Sequence, residues 1–344
     1  MTYIIGEIGQ NHNGSADIAK LIIDLVSLDV KDDVFDRKYA GMNAVKLTKR
    51  NLSEELSSSK MNMPYNSIHS FGKTYGCHRK YLELSNEQHY EIYKHAKKKG
   101  LDFVETLCSI KCLSILKLFE PDKLKVASRD LTNLPLLNEL AKTKIPIIIS
   151  TGMAGKKELD DSLNVITKYH DKISILHCVS EYPTKPDNVN LNTISYLKKN
   201  YKKFKVGYSD HTVGIAAAVA AVALGAEIIE KHITIDRRMK GTDQAGSLGP
   251  NGVIRMVRDI RLISKSLGKE EIFKLSSIRE TMEKLERSIA SKNDIKKNQM
   301  IKEEDLHMLS PGDGYKWIEK DDIIGKKMKR DFKKNEIIYK KDIY

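Results

Sequence analysis

The stretch VGYSDHTVGIAAAVAAVALGAEIIEKHITIDRRMKGTDQAGSL, Val206 to Leu248, contains one complete strand–helix–strand unit. Lys205 to Tyr208 and Glu227 to Ile233 are short apolar runs of the kind buried in a parallel sheet. Between them, Gly214 to Gly225 is an alanine-rich helix whose small side chains suit close packing on such a sheet. His211 follows the first strand and His232 closes the second, so both fall at carboxyl ends of neighbouring parallel strands. Ligands bind at that end in α/β folds. Two neutral imidazoles there, with Asp210 and Asp243 close by, suit a divalent metal with positions open for substrate. The same spacing also fits two unrelated polar strand ends.

Outward from this unit the rhythm repeats. Strands are expected at Tyr3–Ile8, Asn43–Thr48, Asp102–Leu107, Lys123–Ala127, Ile145–Ser150 and Ile173–Val179, followed by the two above. Helices are expected near Asp17–Leu28, Asn86–Lys99, Ile110–Phe119, Leu134–Thr143, Lys156–His170, Leu191–Tyr201, Val213–Leu224 and Gly252–Leu267. Strand then helix, about eight times over, is the sequence form of a closed (β/α)₈ TIM barrel. A doubly wound open sheet is the competing arrangement, but no GxGxxG follows the first strand.

Residues just past the strands are polar: Glu7 with Asn11 and His12, Lys46, Thr106, Ser128 with Asp130, Thr151, Ser180 with Tyr182, then Ser209, Asp210 and His211. A barrel gathers them at one rim. Its lysines and hydroxyls suit a small phosphorylated or carboxylated substrate, and its carboxylates suit proton transfer and holding sugar hydroxyls.

Lys plus Arg exceeds Asp plus Glu, 59 against 46, giving +13. Much of the excess is lysine scattered in runs such as Lys97–Lys99 and Lys326–Lys334, which read as solvated surface; charge alone makes no case for nucleic acid. The four cysteines form no CxxC pair, which points to reduced thiols in a cytoplasmic protein, with Cys108 and Cys112 as packing residues. Met1–Gln10 has no signal-peptide pattern, and the apolar run Ile215–Ala226 is too short to span a bilayer, so no membrane role is expected.

The connection from Lys49 to Ser85 is long for a compact domain, and its aromatic and basic residues predict an ordered lid. After Lys269 the rhythm stops. The sequence divides into a barrel over 1–269, a charged, helix-like linker over 270–285 and a small module over 286–344 with a thin core. Within the module, DIKKNQMIKEEDL (Asp294–Leu306) resembles DFKKNEIIYKKDI (Asp331–Ile343) around the turn-rich LSPGDGYKW (Leu309–Trp317).

Seven segments in one order, EIGQNHNG, PYNSIHSFGKTYGCHRKYLELS, STGM, LHC before YPT, GYSDHT, EKHIT and KGTDQAGSL, resemble the sialic acid synthase family. The tail resembles its antifreeze-like (SAF) domain, and the long loop is similar to that of the animal-type 9-phosphate synthases. The resemblance covers nearly the whole chain. It implies a TIM barrel followed by a small, mostly β, β-clip-like SAF domain, in a domain-swapped homodimer. It also implies condensation of phosphoenolpyruvate with N-acetylmannosamine or a related 2-acetamido sugar to a nine-carbon 3-deoxy-2-keto acid.

On this resemblance His211 and His232 hold Mn²⁺, or Mg²⁺ or Co²⁺. Lys46, Lys125, Thr106, Ser128, Ser180 and Ser209 hold phosphoenolpyruvate; Tyr182, Asp130 and Asp243 surround the sugar; Glu7 lies beside the reacting carbons. The chain departs from the bacterial pattern, which has glutamate at Asp130, glutamine at Thr48 and arginine at Ser310. Serine lacks a planar guanidinium fork, so acyl recognition at position 310 is not carried over. The same residues admit a Schiff-base aldolase using Lys46 or Lys125, or a sugar-binding protein on the same fold.

Overall fold

The computed structural model describes residues 1–32 and 36–344. Eight parallel strands form a closed barrel: β1 (Tyr3–Gly9), β2 (Ala44–Lys49), β3 (Asp102–Leu107), β4 (Lys123–Val126), β5 (Ile147–Ser150), β6 (Ile173–Cys178), β7 (Lys205–Asp210) and β8 (Ile228–His232). β1 pairs with β8 on one side, Glu7 opposite His232, and with β2 on the other, Glu7 opposite Lys46. Closure therefore brings the first strand's acid between a lysine and a histidine from opposite ends of the barrel sequence. The fold is the (β/α)₈ barrel expected from the strand–helix rhythm, followed by a small C-terminal β domain.

Alternation along each strand separates two cores. Ile5, Ala44, Val104, Ile148, Leu176 and Ile228 point inward and form a buried apolar layer inside the barrel. Their neighbours, such as Ile4, Val45, Phe103, Ile147, Ile175 and Ile229, point outward into the larger core under the helices. The helices are α1 (Ala16–Ser27), α2 (Asn86–Lys98), α3 (Leu134–Lys142), α4 (Lys156–Ile166), α5 (Asn192–Asn200), α6 (Ala216–Ala223) and α7 (Pro250–Ser266). In α1, Ser15 caps the Ile18 N–H, and Ala19, Ile22, Ile23 and Val26 form the buried stripe. In α2, Ser85 and Gln88 form a reciprocal capping box.

Two helices differ from the sequence expectation. Ile110–Lys117 is a 3₁₀ helix, with Cys112 and Ile115 buried three residues apart, the repeat of that tighter turn. α6 begins at Ala216, after Gly214, which holds a φ of 84° that no helical residue adopts. The long Lys49–Ser85 connection is ordered into three short helices, Leu52–Glu55, Ser58–Asn62 and Tyr75–Leu82.

The chain forms two compact units, Met1–Gly268 and Lys269–Tyr344. In the second, Arg279–Leu285 is helical and Ser288–Ser291 pairs antiparallel with Leu306–Leu309. The two repeat halves hold each other reciprocally. Ile295 and Phe332 exchange backbone hydrogen bonds, the Asp294 carboxylate accepts from Lys334 N (2.9 Å), and Asp331 accepts from Lys297 N (2.8 Å). Asn298 and Asn335, equivalent in the repeat, both take positive φ, 65° and 72°. Ile289, Ile295, Ile301, Ile323, Met328, Phe332 and Ile338 fill the core between them.

Candidate active site

Two residues beyond the apolar layer, the inward positions change character. Glu7, Lys46, Thr106, Ser150, Cys178 and Glu230 stand on the same faces of their strands as the residues of that layer. They line a cavity of about 280 Å³ at the carboxyl rim. Water is largely excluded: Glu7, Lys46, Lys125 and Glu230 are 3–5% exposed. Lys46 forms an ion pair with Glu7 and lies 3.6 Å from Glu230. Lys125 lies 3.5 Å from the other oxygen of Glu230, which accepts a hydrogen bond from Ser209 Oγ (2.9 Å). Two acids and two bases thus alternate, Glu7–Lys46–Glu230–Lys125, across four strands.

Their environments push the two acids apart. Burial drives the Glu7 carboxyl up to about 7 although Lys46 pulls the other way. Burial also opposes charge on Glu230, but Lys125 and Lys46 outweigh it and hold the group down to about 2. Lys125 is lowered by burial, whereas Glu230 and Glu7 keep Lys46 above its usual value against the same penalty. Opposed pKa values in one cavity mark a division of labour, one group poised for proton exchange near neutrality and one held as a fixed charge.

The hydroxyls converge on the same space. Gly152 N–H donates to Ser128 Oγ (3.0 Å), and a Cβ at Gly152 would meet the Ser180 and Ser128 hydroxyls at 2.5 and 2.8 Å. Glycine is what lets the STGM turn pass this close. Thr106 Oγ1 and Ser150 Oγ are buried without a hydrogen-bond partner, and both residues line the cavity. Uncompensated donors beside two ammonium groups suit a compact polyanion.

His211 and His232 stand beside this cluster with ring centroids 5.7 Å apart. The Tyr182 ring lies 4.1 Å from that of His211. Val179 O accepts from His211 Nδ1 (2.8 Å), so that Nε2 is the nitrogen left for a ligand, and among the described residues His232 Nδ1 is buried without a partner. Burial lowers the His232 pKa and keeps its imidazole neutral, the form that ligates. The pair fits a divalent metal that takes two nitrogen donors and fills its other positions with oxygen. Among the described residues no group of three or more His, Cys, Asp and Glu forms a ligand set.

The expected site residues Glu7, Lys46, Thr106, Lys125, Ser128, Ser180, Tyr182, Ser209, His211, His232 and Asp243 all line the cavity, as does Thr48. Asp130 does not; its carboxylate sits 3.3 Å from Arg129 Nε, and Arg129 is the lining residue. Asn11 and His12 are buried in loop contacts instead. Asn11 Nδ2 donates to Ile233 O and Ser247 Oγ, both at 2.8 Å, and His12 Nδ1 accepts from Gly14 N at 3.0 Å. Ser310 belongs to the second unit, where its hydroxyl donates to Leu285 O (3.1 Å).

Glu230, Cys178, Arg50, Arg79 and Arg129 also line the cavity, although the strand-end pattern does not point to them. Glu230 was legible in principle, since it lies two residues before His232 and so shares its face. Arg50 follows β2 directly and Arg129 lies between Ser128 and Asp130. Arg79 comes from the long ordered connection, where it donates to the Tyr75 hydroxyl.

Residues 34–272 match the NeuB family and residues 286–343 match the SAF domain. The chain is 35% identical to the human N-acetylneuraminate-9-phosphate synthase, over 84% of this chain and 78% of that one. It is 34% identical to the N,N'-diacetyllegionaminic acid synthase of Campylobacter jejuni, over 98% of each. A solved structure, N-acetylneuraminic acid (sialic acid) synthetase from Leptospira borgpetersenii in complex with citrate, superposes with a TM-score of 0.66 at 32% identity, covering 82% of this chain and 90% of that one.

Proposed function

The chain belongs to the NeuB family of phosphoenolpyruvate-condensing nonulosonic acid synthases, and from that premise we propose that it joins phosphoenolpyruvate to a 2-acetamido hexose. The observation that carries this reading is the alternating chain Glu7–Lys46–Glu230–Lys125, buried over an apolar floor and flanked by two imidazoles. Lys46 and Lys125, with Thr106, Ser128, Ser180 and Ser209, seat the phosphate and carboxylate of phosphoenolpyruvate. Tyr182 and Asp243 border the sugar, with Asp130 acting on it only through Arg129. Both named relatives are synthases of N-acetylated acids, which supports an acetamido acceptor.

In this assignment the enol double bond supplies the electron pair for a new bond to the acceptor's aldehyde carbon, while the carbonyl π pair moves onto the aldehyde oxygen, which takes up a proton to become a hydroxyl. Water then adds to the former enol carbon, losing a proton, and the bond from that carbon to the phosphate ester oxygen breaks. Glu7, with a carboxyl near neutrality, orients that water and takes its proton. Glu230 stays charged and holds both lysines in place. His211 and His232 are the residues that would hold a divalent ion such as Mn²⁺, which when bound supplies Lewis-acid polarisation of the acceptor carbonyl. Convergence of these groups on one cavity keeps the two substrates oriented.

The test is mass spectrometry of the product formed from phosphoenolpyruvate and each of several acetamido sugars. The expected product has the mass of the acceptor plus phosphoenolpyruvate plus water minus phosphoric acid. A protein adduct trapped by borohydride at Lys46 or Lys125 would replace this reading with a Schiff-base aldolase.

A further inference from the structure

Directly behind the two histidines, on the outer face of the same strands, lies an ion pair that the reaction does not touch. Lys231 and Asp210 are register partners on β8 and β7, and their side chains are 1% and 0% exposed. Lys231 Nζ donates to Asp210 Oδ2 (2.7 Å) and to the carbonyl of Thr212 (2.5 Å). The other oxygen, Asp210 Oδ1, accepts from Thr212 N (2.8 Å) and from the Tyr208 hydroxyl (3.1 Å). His211 is therefore pinned on both sides, through Asp210 and through Thr212, to the residue that immediately precedes His232.

A buried ion pair is poor evidence for stabilisation, because apolar replacements of similar size are often neutral or better. What a charge pair fixes, and an apolar pair does not, is the register and distance of the groups it joins. Here those groups are the backbones that carry the two imidazoles. We propose that Lys231 and Asp210 are positioning residues that set the separation and aim of His211 and His232, and so set the affinity of this site for a divalent cation. Outer contacts that orient ligands typically contribute about 10–100-fold in metal affinity. The inference rests on the assignment of His211 and His232 as metal ligands.

The experiment is Mn²⁺ binding to the full chain without substrates, read by calorimetry and by the electron paramagnetic resonance signal of free Mn²⁺. The wild type is compared with the double variant Asp210→Leu/Lys231→Met, with thermal unfolding followed alongside. The expected result is a folded double variant whose Mn²⁺ dissociation constant rises at least about tenfold. Tyr208→Phe, which removes one hydrogen bond and leaves the pair, is expected to weaken binding about two- to threefold and serves if the double variant does not fold. A control at another buried pair, His89 and Glu105, 2.9 Å apart and 1% and 0% exposed, is expected to leave Mn²⁺ affinity unchanged in Glu105→Gln. Unchanged affinity in a folded double variant, or in Tyr208→Phe when the double variant does not fold, overturns the positioning role. Equal weakening in the Glu105→Gln control overturns it too, by showing a general loss of rigidity. Absence of Mn²⁺ binding in the wild type overturns the ligand assignment itself, and with it this inference.

Discussion

Inside the barrel, two residues of strand separate a wholly apolar layer from a layer of hydroxyls, a thiol and charged groups. Ile5 and Glu7 share one face of β1, Ala44 and Lys46 one face of β2, and Ile228 and Glu230 one face of β8. The lower residues are indistinguishable from an ordinary hydrophobic core. The upper ones form a chain of buried ion pairs that no core would choose for stability. The apolar layer lies beneath the cavity, and burial opposes charge on both acids; what separates them is that Lys125, Lys46 and the Ser209 hydroxyl outweigh burial at Glu230, whereas at Glu7 burial outweighs Lys46. Stability and chemistry are divided by height along the same strands.

Breaking the upper layer has the largest expected effect. Lys46→Met removes the cation shared by Glu7 and Glu230, and turnover is expected to fall about 10³-fold, roughly 4 kcal/mol of transition-state stabilisation. Steady-state kinetics checks this. Leu176→Ala, in the lower layer, is expected to remove about 3 kcal/mol of stability in urea unfolding while turnover per folded molecule changes less than about tenfold.

The carboxyl of Glu7 sharpens the contrast through pH. Its folded pKa lies above its unfolded one, so its contribution to stability is fully present below about pH 4.5 and is lost as pH rises through about 7. Glu7→Gln does not titrate. Relative to the wild type it is expected to gain on the order of 2–3 kcal/mol between pH 5 and pH 8 in urea unfolding, while losing activity. A smaller effect is expected for Ser209→Ala, which deletes one donor to Glu230 and should lower kcat/KM about fivefold, near 1 kcal/mol. Outside both layers, Lys157→Ala breaks the exposed pair with Asp161 and should leave the urea unfolding midpoint unchanged.

The eight strands and the barrel were readable because strand–helix spacing survives in sequence; which residues of each continuous apolar run form the inner layer was not, since both faces of these strands are apolar. His211, His232 and Lys46 were readable at the strand ends from the same spacing, whereas Lys125, inside β4, came with the family resemblance. Glu230 escaped because it sits inside a strand, where a charged residue looks like a solvent-facing one until the barrel closes around it. Arg79 escaped because it lies on an eight-residue helix, Tyr75–Leu82, whose position over the rim depends on long-range packing. Asp210 was readable as a strand-end acid beside His211, but not its place outside the cavity on Lys231: that pairing depends on the register of β7 and β8, which spacing alone does not fix.

The most direct test of the account is phosphate release from phosphoenolpyruvate with Mn²⁺, across N-acetylmannosamine, its 6-phosphate and a 2,4-diacetamido-2,4,6-trideoxyhexose, each with and without a chelator. The account predicts that at least one acceptor supports release, one phosphate per acceptor consumed, and that the chelator abolishes it. Release that persists undiminished in the chelator, or no release with any acceptor from folded protein, would contradict it.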